Sequence, residues 1–321
     1  EDDFLRYFDE KYELRQSIDY YEENFGGLNA LEYSVNSDIE NGINNPEYLQ
    51  NVSDLVEFIR SQPEVTSVRS YTDVVKRLNQ NFNNDNESFY KIPATELEAA
   101  QYLFLYELSL GYGLDLTDQI NVDKSALRIT ANVANATTKE FLNLDKRIQG
   151  WFAENAPELM SKSTGPSQVF SQISSRDVPA MLQGTGLALI GISIIILLVI
   201  RNIKYGLMSL IPNLLPAAMA FGLWGYYTGA VTLAVSIVVA MTLGIVVDDS
   251  VHFMLKYAKA RKKGKSPEDS VREAFQKVGM ALTTTTIGLF LGFCVLAQSG
   301  FAVNKDMAQL TAITVVFALV V

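Results

Sequence analysis

Gly244-Ile245-Val246-Val247-Asp248-Asp249-Ser250-Val251-His252-Phe253 is the stretch on which the fold turns, because two adjacent carboxylates interrupt a long apolar run. Before it, residues 205–247 contain no charged side chain over 43 positions. Three more charge-free runs, 178–200, 278–304 and 307–321, surround it. Spanning a bilayer takes about 20 apolar residues, so these lengths exclude a wholly soluble globule.

The charge is divided in the same way. The net charge of -10 sums a balance of -15 over residues 1–180 and +5 over 181–321. An acidic polar half repels phosphate, which excludes a nucleic-acid binder working through a basic surface. The expected fold is an α-helical polytopic membrane domain of five transmembrane helices, the last cut short, preceded by an α/β extracytoplasmic domain. Its domains are 1–180 and 181–321. The spans fall at roughly 181–200, 206–226, 230–255, 279–298 and 307–321. The 43-residue run is too long for one helix at about 1.5 Å per residue, and it breaks at Gly225-Tyr226-Tyr227-Thr228-Gly229. The chain starts at Glu1 without an initiator Met and stops at Val321 inside an apolar run, so it is read as a piece of a longer membrane protein.

Loop charges set the orientation, since Lys and Arg in short loops stay cytoplasmic. Arg201-Asn202-Ile203-Lys204 is basic, and the connection after the third span carries eight Lys and Arg against three acids. Both lie on one side, which places 1–180 outside the cytoplasm. Trp224, Tyr226 and Tyr227 on the outer side, with Tyr205 and Tyr257 on the inner, suit interfacial belts. Ser266-Pro267-Glu268-Asp269 is a helix start, so an amphipathic helix over 267–278 is expected on the inner membrane face.

In 1–180, aromatics at Phe4, Phe8 and Tyr12 predict a helix from Phe4 to Phe25, ended by Gly26-Gly27. Strands are expected at Leu28–Val35, Val65–Ser70 and Leu127–Val133, and helices from Pro46 to Arg60, Tyr71 to Phe82, Thr95 to Leu110 and Thr138 to Ala153. No nucleophile triad, phosphate loop or metal cluster occurs there, and the chain's one histidine is His252. No cofactor or metal is called for, and the chain does not read as an enzyme.

Counted from Ala230, Asp248 lies about 27 Å along a continuous helix and about 12 Å from Lys256, inside the inner half of the membrane. An ionised carboxylate there costs several kcal/mol unless partnered, which marks Asp248 and Asp249 as functional. Thr283, Thr284, Thr285 and Thr286 on the fourth span lie at similar depth if the two helices pack antiparallel. Ser250 and His252, the latter one turn beyond Asp248, are further relay candidates. Burial and hydroxyl hydrogen bonds push a carboxyl's proton affinity in opposite directions, so such a site can load and release a proton. An aspartic-protease dyad is excluded, because neighbouring helical residues point about 100° apart and cannot share one proton.

With Ile211-Pro212-Asn213-Leu214-Leu215-Pro216 before it, and Thr283–Thr286 with Gly288 and Gly292 after it, the 244–253 stretch resembles the resistance–nodulation–division superfamily, MMPL branch. The resemblance implies twelve transmembrane helices in two similar halves, each with an extracytoplasmic porter-like domain. This chain is similar to the second outer domain plus helices eight to twelve. The family's proton relay falls on Asp248 and Asp249, where many members have Asp-Tyr, and Pro212 and Pro216 fall at helix kinks. Also implied are proton-driven export of hydrophobic or lipidic substrates from the bacterial inner membrane, contact with membrane lipids, and dependence on an N-terminal half of the same protein. A homo-oligomer is left open. The alternative is a sterol-sensing-like protein that binds, transfers or senses lipid without strong pumping.

Overall fold

The computed structural model describes every residue except 1–6, 112, 135, 201, 202, 204–207, 209, 230 and 231. The Phe4 end of the first predicted helix, the basic loop at Arg201 to Lys204, Tyr205 and the start of the second span therefore lie outside the described residues. The chain forms two compact units, one of Gln16–Gln172 and the other of Ile173–Val321 together with the N-terminal segment Glu1–Arg15.

In the first unit, α1 (Glu13–Phe25) is followed by β1 (Asn29–Asn36), α2 (Pro46–Arg60), β2 (Val65–Arg69), α3 (Tyr71–Phe82), α4 (Glu96–Ser109), β3 (Ala126–Val133) and α5 (Thr138–Asn155). The bounds follow local chemistry. Asn45 accepts from Glu47 N and Tyr48 N ahead of Pro46, and Thr95 with Glu98 and Thr137 with Glu140 close capping boxes, each satisfying otherwise orphaned N–H groups. Gly26 ends α1 at φ +86, in the left-handed region. Gly27 has a different constraint, because a Cβ there would meet the Val133 carbonyl oxygen at 1.7 Å.

The sheet order is β1-β3-β2, with β3 antiparallel to both neighbours. β1 and β2 are thus parallel and joined through α2, a split βαβ unit. Leu127, Ile129, Ala131 and Val133 alternate along β3 and are fully buried, as are Leu31, Tyr33 and Val35 on β1. Phe141, Leu144, Ile148 and Phe152 bring one face of α5 into that core.

The second unit holds α6 (Pro166–Ile200, shared with the first), α7 (Leu210–Thr228), α8 (Leu233–Lys262), α9 (Pro267–Ala274), α10 (Met280–Leu296) and α11 (Ala302–Val320). Four stretches among the described residues are long and apolar enough to cross a membrane: Pro166–Leu198, Val235–Lys262, Pro267–Leu296 and Ala302–Val320. α7 stands where the second span is expected and is not one of the four. α11 packs on α7, α8 and α10, while α8 also packs on α9.

Three expectations are corrected here. Residues 7–12 do not extend the first helix. Phe8 bridges to Phe301 instead, with Asp9 N donating to Gly300 O at 2.9 Å and Ala302 N donating to Tyr7 O at 2.6 Å. This backbone pairing, with Tyr7 and Phe8 against the Phe301 ring, outweighs the helical spacing of the aromatics. The helix at 267–278 is not a separate surface helix either. A π turn over Phe275–Gly279 joins α9 directly to α10, and the positive-φ turn at Gly264 folds α9 back onto α8 with Ser270 and Ala274 buried. Finally, Trp224 is buried rather than interfacial, because it shares a helix face with Ala220 and packs against Val235, Val238 and Leu310. Tyr226 and Tyr227 are exposed.

Candidate functional site

α8 is continuous over 30 residues, opened by Thr232, whose side chain accepts from Val235 N. No breaker interrupts it at the acids, so helical geometry carries through Asp248, Asp249, Ser250 and His252. At 1.5 Å per residue Asp248 lies about 22 Å along the helix from Leu233, within a hydrocarbon layer about 30 Å thick.

The two carboxylates face different surroundings. Val235, Val238, Thr242 and Val246 form the buried stripe of α8, at the spacing of one helix face, and three residues on from Val246 that stripe reaches Asp249. Asp249 is half-buried. Asp248 is turned away from the stripe, its side chain 74% exposed, and His252 one turn on has Nε2 3.6 Å from its Oδ1. A charge facing hydrocarbon at this depth costs about 2.5–3.5 kcal/mol on insertion scales. Asp248 and His252 thus share the exposed face of α8, while Asp249 is half-buried in line with the helix's buried stripe.

The threonines are not joined to the acids. Thr283 Oγ1 donates to Gly279 O (2.9 Å), Thr284 Oγ1 to Met280 O (2.8 Å), and Thr285 Oγ1 to Ala281 O and Leu282 O (3.1 and 2.9 Å). These are the back-bonds that Thr makes within a helix, and they satisfy the hydroxyl donor locally. Thr286 is buried. α10 packs on α11, and no hydrogen bond links Thr283–Thr286 to Asp248 or Asp249. Ser250 is half-buried beside the pair.

Pro212 precedes Asn213 near the start of α7, and Pro216 lies inside the helix. Asn213 is a residue the sequence reading did not single out. It is 1% exposed, and among the described residues neither its Nδ2 nor its Oδ1 has a hydrogen-bond partner. The signal was present in the spacing, since Asn213, Pro216, Ala220 and Trp224 recur at one helix face and all four are buried.

In the first unit an open groove of about 690 Å³ is lined by Leu110, Leu116, Ile120 and Val122 together with Glu107, Asp115 and Lys124. Lys124 Nζ is paired with Glu107 at 2.8 Å. Among the described residues no group of three or more His, Cys, Asp or Glu is placed to hold a metal ion.

With this geometry in place, comparison with known proteins is informative. Residues 52–321 match the MMPL family. A protein of Methanocaldococcus jannaschii, named only as a membrane protein, is 22% identical over 305 residues, covering 92% of this chain and 75% of its own length.

Proposed function

The chain belongs to the MMPL family of membrane proteins, and from that premise we propose that it forms one half of a proton-motive-force-driven exporter of hydrophobic or lipidic substrates. Asp248 and Asp249 act as the intramembrane proton relay. The observation that carries this reading is the acidic pair on an unbroken helix, about 22 Å from its outer end, with one carboxylate turned inward and the other turned out. His252 stands beside the outward carboxylate and contributes a second titratable group there.

The facing element is the N-terminal half of the same protein, which covers Asp248 and supplies the surface against which alternating access works. The unit at Gln16–Gln172 lies outside the cytoplasm, in keeping with the basic connection around Lys256–Lys265, and passes substrate toward the exterior of a cytoplasmic membrane. Its groove at Leu110–Val122 offers apolar lining with charged edges, suited to an amphipathic lipid.

The test uses full-length protein. Asp248→Asn keeps the side-chain shape and removes the ionisable group, so proton-dependent efflux from vesicles is abolished while insertion and folding persist. Unchanged efflux would sink the relay assignment. Saturable lipid binding that survives collapse of the gradient, with no efflux in the parent protein, would favour a lipid-sensing role instead.

A further inference from the structure

The connection that follows α8 carries eight Lys and Arg, and the structure divides them into two groups. Four are engaged locally. Lys265 Nζ lies 2.9 Å from Glu273 Oε2, Lys277 pairs with the same carboxylate, Arg272 lies 3.7 Å from Glu268, and Arg261 Nη1 donates to Lys265 O. The other four are Lys256, Lys259, Lys262 and Lys263. All are exposed, and among the described residues none of them has an acidic group within ion-pair distance.

These four share one side of the helix. α8 runs unbroken to Lys262, with Lys263 as its C-terminal cap residue, and at about 100° per residue the four lysines fall within an arc of about 120°. The sides that pack lie elsewhere, since Ala258 meets Ile196 of α6 and Ala260 is 1% exposed. Measured from Leu233, Lys256 stands about 34 Å along the helix, so the lysine face begins just past a hydrocarbon layer about 30 Å thick, where headgroups lie. Lys256 with Lys259, and Lys259 with Lys262 and Lys263, are like-charge neighbours at helical spacing, and such pairs repel. The negative end of the helix dipole favours cations in the last turn, which accounts for Lys259 and Lys262 but not for Lys256, a turn earlier. Orientation in the membrane depends on how many basic residues flank a span and does not require them to share a face.

We infer that Lys256, Lys259, Lys262 and Lys263 form a docking face for the phosphate headgroups of anionic membrane phospholipids. Complementary charge selects this occupant, because four uncompensated ammonium groups stand at the depth where a bilayer presents phosphate. Each ammonium offers three donors, and hydrogen bonds to a charged phosphate oxygen are among the strong ones. An anionic headgroup set between Lys259 and its neighbours also relieves their mutual repulsion. A zwitterionic headgroup carries its own cation and offsets that repulsion less. The four-carbon lysine stems let the charges reach back toward the bilayer from the end of the helix.

The test measures lipid binding and does not depend on transport. Full-length protein in maltoside detergent is titrated with phosphatidylglycerol and, separately, with phosphatidylcholine, and bound lipid is counted by native mass spectrometry. The parent should prefer phosphatidylglycerol, and equal affinity for the two lipids overturns the proposal. A lysine near an anionic headgroup contributes about fivefold in affinity, so Lys256→Gln, Lys259→Gln and Lys263→Gln together should weaken phosphatidylglycerol binding about a hundredfold and leave phosphatidylcholine binding as in the parent. Lys265→Gln, Arg272→Gln and Lys277→Gln remove the same charge from paired positions and should change phosphatidylglycerol binding by about twofold or less. Equal losses in the two triple variants mean that net charge alone attracts the lipid, and overturn the docking face. Should either triple variant fail to fold, Lys259→Gln is compared with Arg272→Gln on the same terms. Unchanged phosphatidylglycerol affinity in the Lys256, Lys259 and Lys263 variant shows that protein covers the lysines, and also overturns the proposal. Inorganic phosphate in large molar excess should leave the lipid bound, and its displacement assigns the lysines to free phosphate and removes the lipid as occupant.

Discussion

Replacing Tyr33 with Phe tests how the Gln16–Gln172 unit is held together. Tyr33 is fully buried on β1, and its Oη donates to Asp145 Oδ1 on α5 at 2.8 Å. Asp145 Oδ2 accepts from Gln168 Nε2 at 3.0 Å, and the same Nε2 donates to Ser163 Oγ at 2.7 Å. The phenol is thus the sheet's link to a network reaching the start of α6. A hydrogen bond to a charged acceptor contributes about 1.5–3 kcal/mol, and in a domain of about 150 residues each kcal/mol is worth 2–4 °C. Tyr33→Phe should therefore lower the unit's unfolding temperature by about 3–12 °C at neutral pH.

The same variant has an alkaline signature. Burial first, and then the Asp145 charge, hold the Tyr33 hydroxyl well above the ordinary tyrosine value, and burial does the same for Tyr48 and Tyr71. Folded, these three stay neutral at a pH where the unfolded chain ionises them. Their contribution is therefore complete below about pH 10 and is lost as pH rises, each removing about 1.4 kcal/mol per pH unit. Tyr33→Phe deletes one of the three and flattens that limb by the same amount. Trp151 of α5 reports on this unit once Trp224 is changed to Phe, since the chain has two tryptophans. An unfolding temperature and an alkaline slope both equal to the parent's would refute the reasoning.

Gly27→Ala places a Cβ 1.7 Å from the Val133 carbonyl oxygen of the central strand, and should cost about 3 kcal/mol or more. Gly26→Ala meets left-handed strain of about 1–2 kcal/mol and a tight but movable side-chain contact, Thr66 Oγ1 at 3.0 Å, so chemical denaturation that ranks the two the other way would contradict the close approach of Gly27 to the Val133 backbone. In a Cys294→Ala background, a membrane-impermeant thiol reagent should label Lys263→Cys only from the cytoplasmic side and Tyr227→Cys only from outside. The opposite pattern would invert the topology.

Where an element is decided by neighbouring residues, the sequence made it legible. Asn45-Pro46, Thr95 with Glu98, and Gly26 each carry their own stop or start signal, and α2, α4 and α1 begin or end at them. Strand order was not legible, because β3 enters between β1 and β2 from some sixty residues beyond β2, and no local pattern specifies which edges it joins. The pairing of Tyr7–Asp9 with Gly300–Ala302 is hidden for the same reason, since backbone groups almost three hundred residues apart leave no mark in side-chain spacing.

The intramembrane site divides along the same line. Asp248 and Asp249 stand out because ionisable residues in an apolar run are costly, and their divergence follows from the helical period alone. The threonines read differently, because a hydroxyl on a helix has a local acceptor one turn back, and Thr283, Thr284 and Thr285 each donate to a carbonyl of their own helix. Asn213 has the opposite character. An amide is too long and too polar to be satisfied by that one back-bond, so its burial on the Ala220–Trp224 face points away from its own helix. In a membrane bundle the informative polar residue is therefore one whose own turn does not satisfy it, and by that criterion Asn213 outranks Thr283–Thr286.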